Sequence, residues 1–112
     1  MSKYTLSFQN TVEVPVKFTL KEGRVNKSYS FTLTAKRQPQ SVIEQWGKEE
    51  VKVKEILIEN VSDWSGQTLI NDESDKPAEF GNDAFDALLD VQGVAMRCYL
   101  SYLAECGAKA KN

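Results

Sequence analysis

Histidine is absent from this chain of 112 residues. Its absence removes the commonest general acid–base side chain and the commonest metal ligand together. Cysteine is scarce: Cys98 and Cys106 are the only two, and they do not have the two-to-four-residue spacing of paired zinc ligands. On a shared helix they would stand about 12 Å apart. A disulfide tolerates about 7 Å between Cα atoms, so reduced thiols are expected. A cysteine nucleophile needs a base or cation beside it; Arg97 precedes Cys98, but adjacent residues on a helix point in different directions. The six glycines are scattered and form neither GxGxxG nor GxxxxGK[ST]. No apolar run approaches the roughly 20 residues that span a bilayer, and Met1-Ser2-Lys3-Tyr4 lacks the apolar region of a signal peptide. The acidic run Asp72-Glu73-Ser74-Asp75 has the composition of a calcium loop only. Pro77 stands where that loop needs glycine, and Asp83 where it needs glutamate. These absences predict no catalytic residue, no cofactor and no bound metal, and they favour a cytoplasmic binding protein over an enzyme.

What is present suits a folded domain. Hydrophobic residues make up 41% and charged residues 27%, which argues against disorder, and the length corresponds to one domain. Charge is unevenly placed: residues 1–40 carry +5 and residues 41–112 carry −7 within a net −2. Solvated faces that happen to differ in sign account for this, as do opposed interaction faces or head-to-tail self-association.

The hydrophobic period changes once along the chain. Val12, Val14, Val16, Phe18 and Leu20 alternate with polar residues and Pro15, the pattern of a strand with one buried face. Pro15 places this strand at an edge, or turns its missing donor outward. Beyond a turn at Lys21-Glu22-Gly23-Arg24, alternation resumes through Tyr29, Phe31, Leu33 and Ala35, so the two segments predict an antiparallel hairpin. Tyr4, Leu6 and Phe8 suggest a third short strand.

From Pro39 the spacing is helical. Val42, Ile43 and Trp46 mark one helix stopped by Gly47, and Val53, Ile56, Leu57, Val61 and Trp64 mark the stripe of a second. Residues 65–81 read as a loop. Gly81 or Asn82 caps a helix carrying Phe85, Leu88 and Leu89, with Asp83 and Asp86 in its first turn. Gly93 interrupts, and a last helix turns Val94, Ala95, Cys98, Tyr102 and Leu103 inward. The expected fold is therefore α+β in one domain. An N-terminal antiparallel hairpin of two to three strands (about 3–36) precedes three to four helices (about 40–106), and residues 107–112 fray. Trp64, Ile56, Leu57, Phe85, Leu88 and Leu89 are the expected structural core. Val42, Trp46, Phe80 and Tyr99 are the candidate partner-binding residues, because aromatics are enriched at interface hot spots. A basic hairpin (Lys17, Lys21, Arg24, Lys27, Lys36, Arg37) raises nucleic-acid binding as a rival reading. It lacks the exposed aromatics of single-strand binders, and the acidic half opposes a phosphate backbone.

The order of short motifs resembles the tail assembly chaperones of long-tailed bacteriophages and prophages. The resemblance rests on Val61-Ser62-Asp63-Trp64-Ser65-Gly66, read as a helix end, then Asn71-Asp72-Glu73-Ser74-Asp75-Lys76-Pro77 and Ala78-Glu79-Phe80. It continues through Asn82-Asp83-Ala84-Phe85, Leu88-Leu89-Asp90-Val91 and Gly93-Val94-Ala95, with the Thr11–Val16 strand in front. Ser74-Asp75 replaces a usual glycine turn, and Gln92 a frequent proline. The resemblance implies a non-catalytic chaperone that binds and solubilises the tape measure protein, helps recruit tail tube protein, and is missing from the finished particle. A homo-oligomer joined through the hairpin edge is a further possibility. A structural tail or neck component retained in the particle is the alternative.

Overall fold

The computed structural model describes residues 9–108. The expected strand at Tyr4–Phe8 and the end of the C-terminal tail lie outside those residues. The architecture is α+β: an antiparallel three-stranded sheet whose inner face is covered by helices.

Strand β1 (Thr11–Glu22) pairs with β2 (Val25–Lys36) in unbroken register from Thr11↔Lys36 to Glu22↔Val25. Two residues, Gly23 and Arg24, close the hairpin. Gly23 has φ +62° and Arg24 is not among the residues of positive φ, the pattern of a type II′ turn. The turn makes Glu22↔Val25 a hydrogen-bonded pair, and bonded and non-bonded pairs alternate from there. That parity makes Pro15↔Thr32 a non-bonded pair. The missing N–H of Pro15 therefore faces away from β2, on the open edge of the sheet, and costs the ladder nothing.

The third strand comes from an unexpected place. The second helix, after α1 (Gln40–Lys48), is α2, and it stops at Asn60 (Val53–Asn60); Val61–Ser65 then forms β3 beside β2. The helical reading of Val61 and Trp64 is thus corrected, including the reading of Val61–Gly66 as a helix end. A bulge explains the misreading. Ala35 pairs with Val61 and Thr34 with Asp63, so Ser62 is the extra residue. The insertion puts Val61 and Trp64, three apart, on the same buried face, a spacing that imitates a helix. Asn60 marks the break: its Nδ2 donates to Ile56 O at 2.8 Å, and its Oδ1 accepts from Gln38 Nε2 at 2.8 Å. Gly47 does not stop α1 either; the helix runs one residue on to Lys48, and Glu50 (φ +54°) makes the turn.

Residues 66–81 form a loop with a tight turn closed by the Asn71↔Pro77 bridge. Helix α3 (Asn82–Leu89) follows Gly81, and α4 (Val94–Cys106) follows Gly93, whose φ of +85° is the left-handed conformation that glycine adopts without strain. The core joins the sheet's inner face (Val14, Val16, Phe31, Leu33, Ala35) to Leu57, Trp64, Phe85, Leu88, Leu89, Val94, Cys98 and Tyr102. Ile56 is buried as well. Helix α4 packs chiefly on β1, and its C-terminal end is tied to the sheet by two hydrogen bonds: Tyr102 O–H to Lys36 O, and Arg37 Nη1 to Cys106 O, each 2.6 Å.

The molecule measures 53 × 32 × 29 Å. Its length reflects the hairpin, since strands of this size reach about 40 Å. From Thr19 to Ser28 every residue except Leu20 is exposed, so the distal hairpin is an arm beyond the helical layer. Among the described residues no helix is long and apolar enough to cross a membrane.

Candidate protein-binding surfaces

Helix α4 carries two apolar stripes. Val94, Cys98 and Tyr102, four apart, are the buried one. Met96, Tyr99, Leu100 and Leu103, at i, i+3, i+4 and i+7, form the second, centred roughly 150° round the helix from the first. Met96 is 49% and Leu100 52% exposed, while Tyr99 and Leu103 are half-buried against the core. This spacing is that of a helix face meeting another element. Sequence reasoning selected Tyr99 and assigned Leu103 inward, and it passed over Met96 and Leu100. The four-residue spacing that would have found them is plain in the chain, but the buried stripe has the same period.

Val42 and Trp46 lie one turn apart on α1, both half-buried. The Trp46 indole packs 6.5 Å, centroid to centroid, from the Tyr102 ring, so α1 borders α4. Pro39 and Ile43 of this segment and Leu103 and Cys106 of α4 line a common groove. Phe80 belongs elsewhere. It lies 5.4 Å from both Trp64 and Phe85, edge-on to Trp64. The four candidate residues are therefore not brought together: Val42 and Trp46 lie on α1, which meets α4 through Trp46 and Tyr102, Tyr99 lies on α4, and Phe80 belongs to a loop cluster.

The loop cluster is held by Gln67, which is 3% exposed. Its Oε1 accepts from Leu69 N and Ile70 N (3.0 and 2.9 Å), and its Nε2 donates to Ile70 O and Ala78 O (2.9 and 3.2 Å). Trp64 Nε1–H also donates to Ala78 O, at 3.2 Å. Asp72, in the run with calcium-loop composition, instead accepts from Ser74 N and Lys76 N, a local turn.

Burial pushes the Cys98 thiol up to about 12, so at neutral pH it is a protonated, apolar core group. The Tyr102 hydroxyl is also raised, chiefly by burial and then by neighbouring Cys106. Lys54 is raised by its hydrogen bond to Asp86, 2.8 Å away on α3. Both cysteines are free, and among the described residues no group of three or more acidic, cysteine or histidine side chains could hold a metal ion.

Comparison with family models, with curated proteins and with solved structures finds no match to this chain.

Proposed function

We propose that this chain is a non-catalytic tail assembly chaperone of a long-tailed phage or prophage. On this reading it binds the tape measure protein in the host cytoplasm, keeps it in solution while the tail tube assembles, and is left out of the mature particle. The motif order supports the family. The observation that carries the holding role is the outer stripe of α4, where Met96 and Leu100 stand about half exposed on one helix face. Isolated exposed apolar residues are ordinary, but a periodic set extended by half-buried Tyr99 and Leu103 suits an amphipathic client helix. Val42 and Trp46 on α1, the latter packed on Tyr102, and Phe80 in the loop offer separate contacts.

The test is co-expression with a tape measure protein from the same genome. The wild-type chain should keep it in the soluble fraction and co-purify with it, whereas Met96→Glu/Leu100→Glu, folded by circular dichroism, should not. Equal solubilisation by the double variant would remove the α4 stripe from the mechanism. Finding the chain in purified virions by mass spectrometry would replace the chaperone with a structural tail component.

A further inference from the structure

Among the described residues two edges of the sheet lack a neighbouring strand, and they are opposite in charge. The first is the distal half of β1. The pairing parity turns the N–H groups of Lys17, Thr19 and Lys21 outward, where the sheet order β1-β2-β3 places no further strand among the described residues. Pro15 removes the donor just before them. This edge is basic: Lys17 and Lys21 lie on it, with Arg24 and Lys27 at the tip.

The second edge is β3. Its outer side faces a groove whose opposite wall is Pro77–Phe80, with Trp64 and Phe80 in the lining and the carboxylates Asp63 and Glu79 beside them. Asp72, Glu73 and Asp75 follow on the adjoining turn. Among the described residues no backbone hydrogen bond crosses the groove. Ala78 N donates back to Ile70 O, and Ala78 O takes its donors from side chains. Leu33 faces β1 in a bonded pair with Val14, so Leu33↔Trp64 is a non-bonded pair and Trp64 N–H points outward. The Asp63 carboxylate holds that donor at 2.9 Å. A strand entering the groove would displace Asp63 from it and meet a freed negative charge.

We infer that the β3 groove receives the distal β1 edge of a second copy of this chain, continuing the sheet from one molecule into the next. Charge decides the pairing. Two β1 edges would set lysines against lysines and two β3 edges carboxylates against carboxylates, whereas β1 on β3 sets Lys17 and Lys21 near Asp63 and Glu79. The contact is head-to-tail, so it extends into a chain or closes into a ring instead of stopping at a two-fold dimer. The β-strand pairing supplies affinity and the side chains specificity. This inference does not rest on the identity of the client.

The experiment is sedimentation velocity of the full chain across a wide concentration range. The wild type should associate beyond a dimer, and less so at high salt. Thr19→Pro removes one outward donor without touching the β1–β2 ladder and should weaken association at least about tenfold, whereas Thr19→Val should leave it unchanged. Asp63→Lys/Glu79→Lys should be equally weak alone. Mixed with Thr19→Pro it should form a one-to-one complex that grows no further, because each variant retains one intact edge. Should Thr19→Pro lose its far-ultraviolet circular dichroism, Lys17→Glu/Lys21→Glu replaces it as the weakened β1 edge when tested alone; mixed with Asp63→Lys/Glu79→Lys, its acidic β1 edge meets a basic groove, so that mixture should assemble beyond one-to-one. A wild type that stays monomeric at every concentration overturns the inference. So does an edge-blocked, folded variant that associates as well as wild type, or a mixture of blocked variants that does not pair.

Discussion

Replacing Trp64 tests the fold where sequence and structure disagree most. Trp64 is 9% exposed and sits edge-on to Phe80, with ring centroids 5.4 Å apart, and to Phe85, 6.2 Å apart. It joins β3 to the 77–80 segment and to α3. Trp64→Ala empties that junction and should cost about 3–5 kcal/mol, a large share of the 5–15 kcal/mol typical of a whole domain. Trp64→Phe separates the contributions. It keeps a ring against Phe80 and Phe85 and loses the Nε1–H bond to Ala78 O, a loss of about 0.5–1.5 kcal/mol. That carbonyl is not orphaned, because Gln67 Nε2 still donates to it. The expected order is therefore wild type, then Phe within about 2 kcal/mol including imperfect packing, then Ala well below. Equilibrium urea unfolding followed by far-ultraviolet circular dichroism measures all three, with midpoints compared at a common slope. If Trp64→Ala moved the free energy by less than about 1 kcal/mol, the residue would not be core. If the Phe variant were as damaged as the Ala variant, the hydrogen bond rather than the aromatic packing would hold the junction.

Other outcomes follow from single contacts. Tyr102→Phe removes the hydroxyl that donates to Lys36 O at 2.6 Å; about 1 kcal/mol of stability should go with it, and hydrogen exchange should quicken first in the last turn of α4. Gly93→Ala meets no neighbouring atom but must adopt φ +85°, so a loss of about 1 kcal/mol or more in chemical denaturation is expected from backbone strain alone. Cys98 titrates near 9 when unfolded and only at about 12 when folded. The unfolded chain releases its proton first, so stability present below pH 9 should fall as pH rises towards 12, by roughly 1.4 kcal/mol per unit for this group. Cys98→Val should flatten that alkaline slope in a pH series of melting curves, leaving the same-signed contribution of Tyr102. Pro15→Thr adds a donor to the open edge of β1 at a non-bonded position. It should leave unfolding nearly unchanged while strengthening self-association, as read by sedimentation.

Much of the fold was legible because its signals are local. The hairpin followed from alternation on both sides of Gly23, and Pro15 announced its edge. The Phe85, Leu88 and Leu89 face of α3 and the buried stripe of α4 followed from helical spacing. What failed was β3, and the reason is physical. A bulge at Ser62 turns the strand's period of two into a spacing of three between Val61 and Trp64, so the local pattern continues that of α2. Only the pairing with Leu33, Thr34 and Ala35 distinguishes strand from helix, and pairing is a long-range property. The candidate surface was partly hidden for a related cause. Two apolar stripes share α4, and spacing alone does not say which one the sheet covers. Phe80 stands beside polar residues in the sequence, and its half-buried packing on Trp64 and Phe85 depends on contacts across the loop that spacing does not show.

The sheet edges also explain how the same residues can deter and invite pairing. Natural sheets protect edges with proline, lysine, bulges and short strands, and this one uses all four: Pro15, the outward lysines of β1, the bulge at Ser62 and a β3 of five residues. Lysines on an edge repel an approaching copy of that edge. They do not repel an edge lined with carboxylates, and here such an edge exists in the same molecule. Neutral protection would need no acidic groove with a carboxylate already holding the outward amide of Trp64. The arrangement favours one register of assembly while resisting indiscriminate ones, which is how specificity arises from a repulsive and an attractive element together. Reversing both signs at once, with Lys17→Glu/Lys21→Glu and Asp63→Lys/Glu79→Lys in one chain, should therefore restore self-association that either pair alone weakens. It should also leave that chain unable to co-assemble with wild type, which mixed sedimentation would reveal as two independent populations.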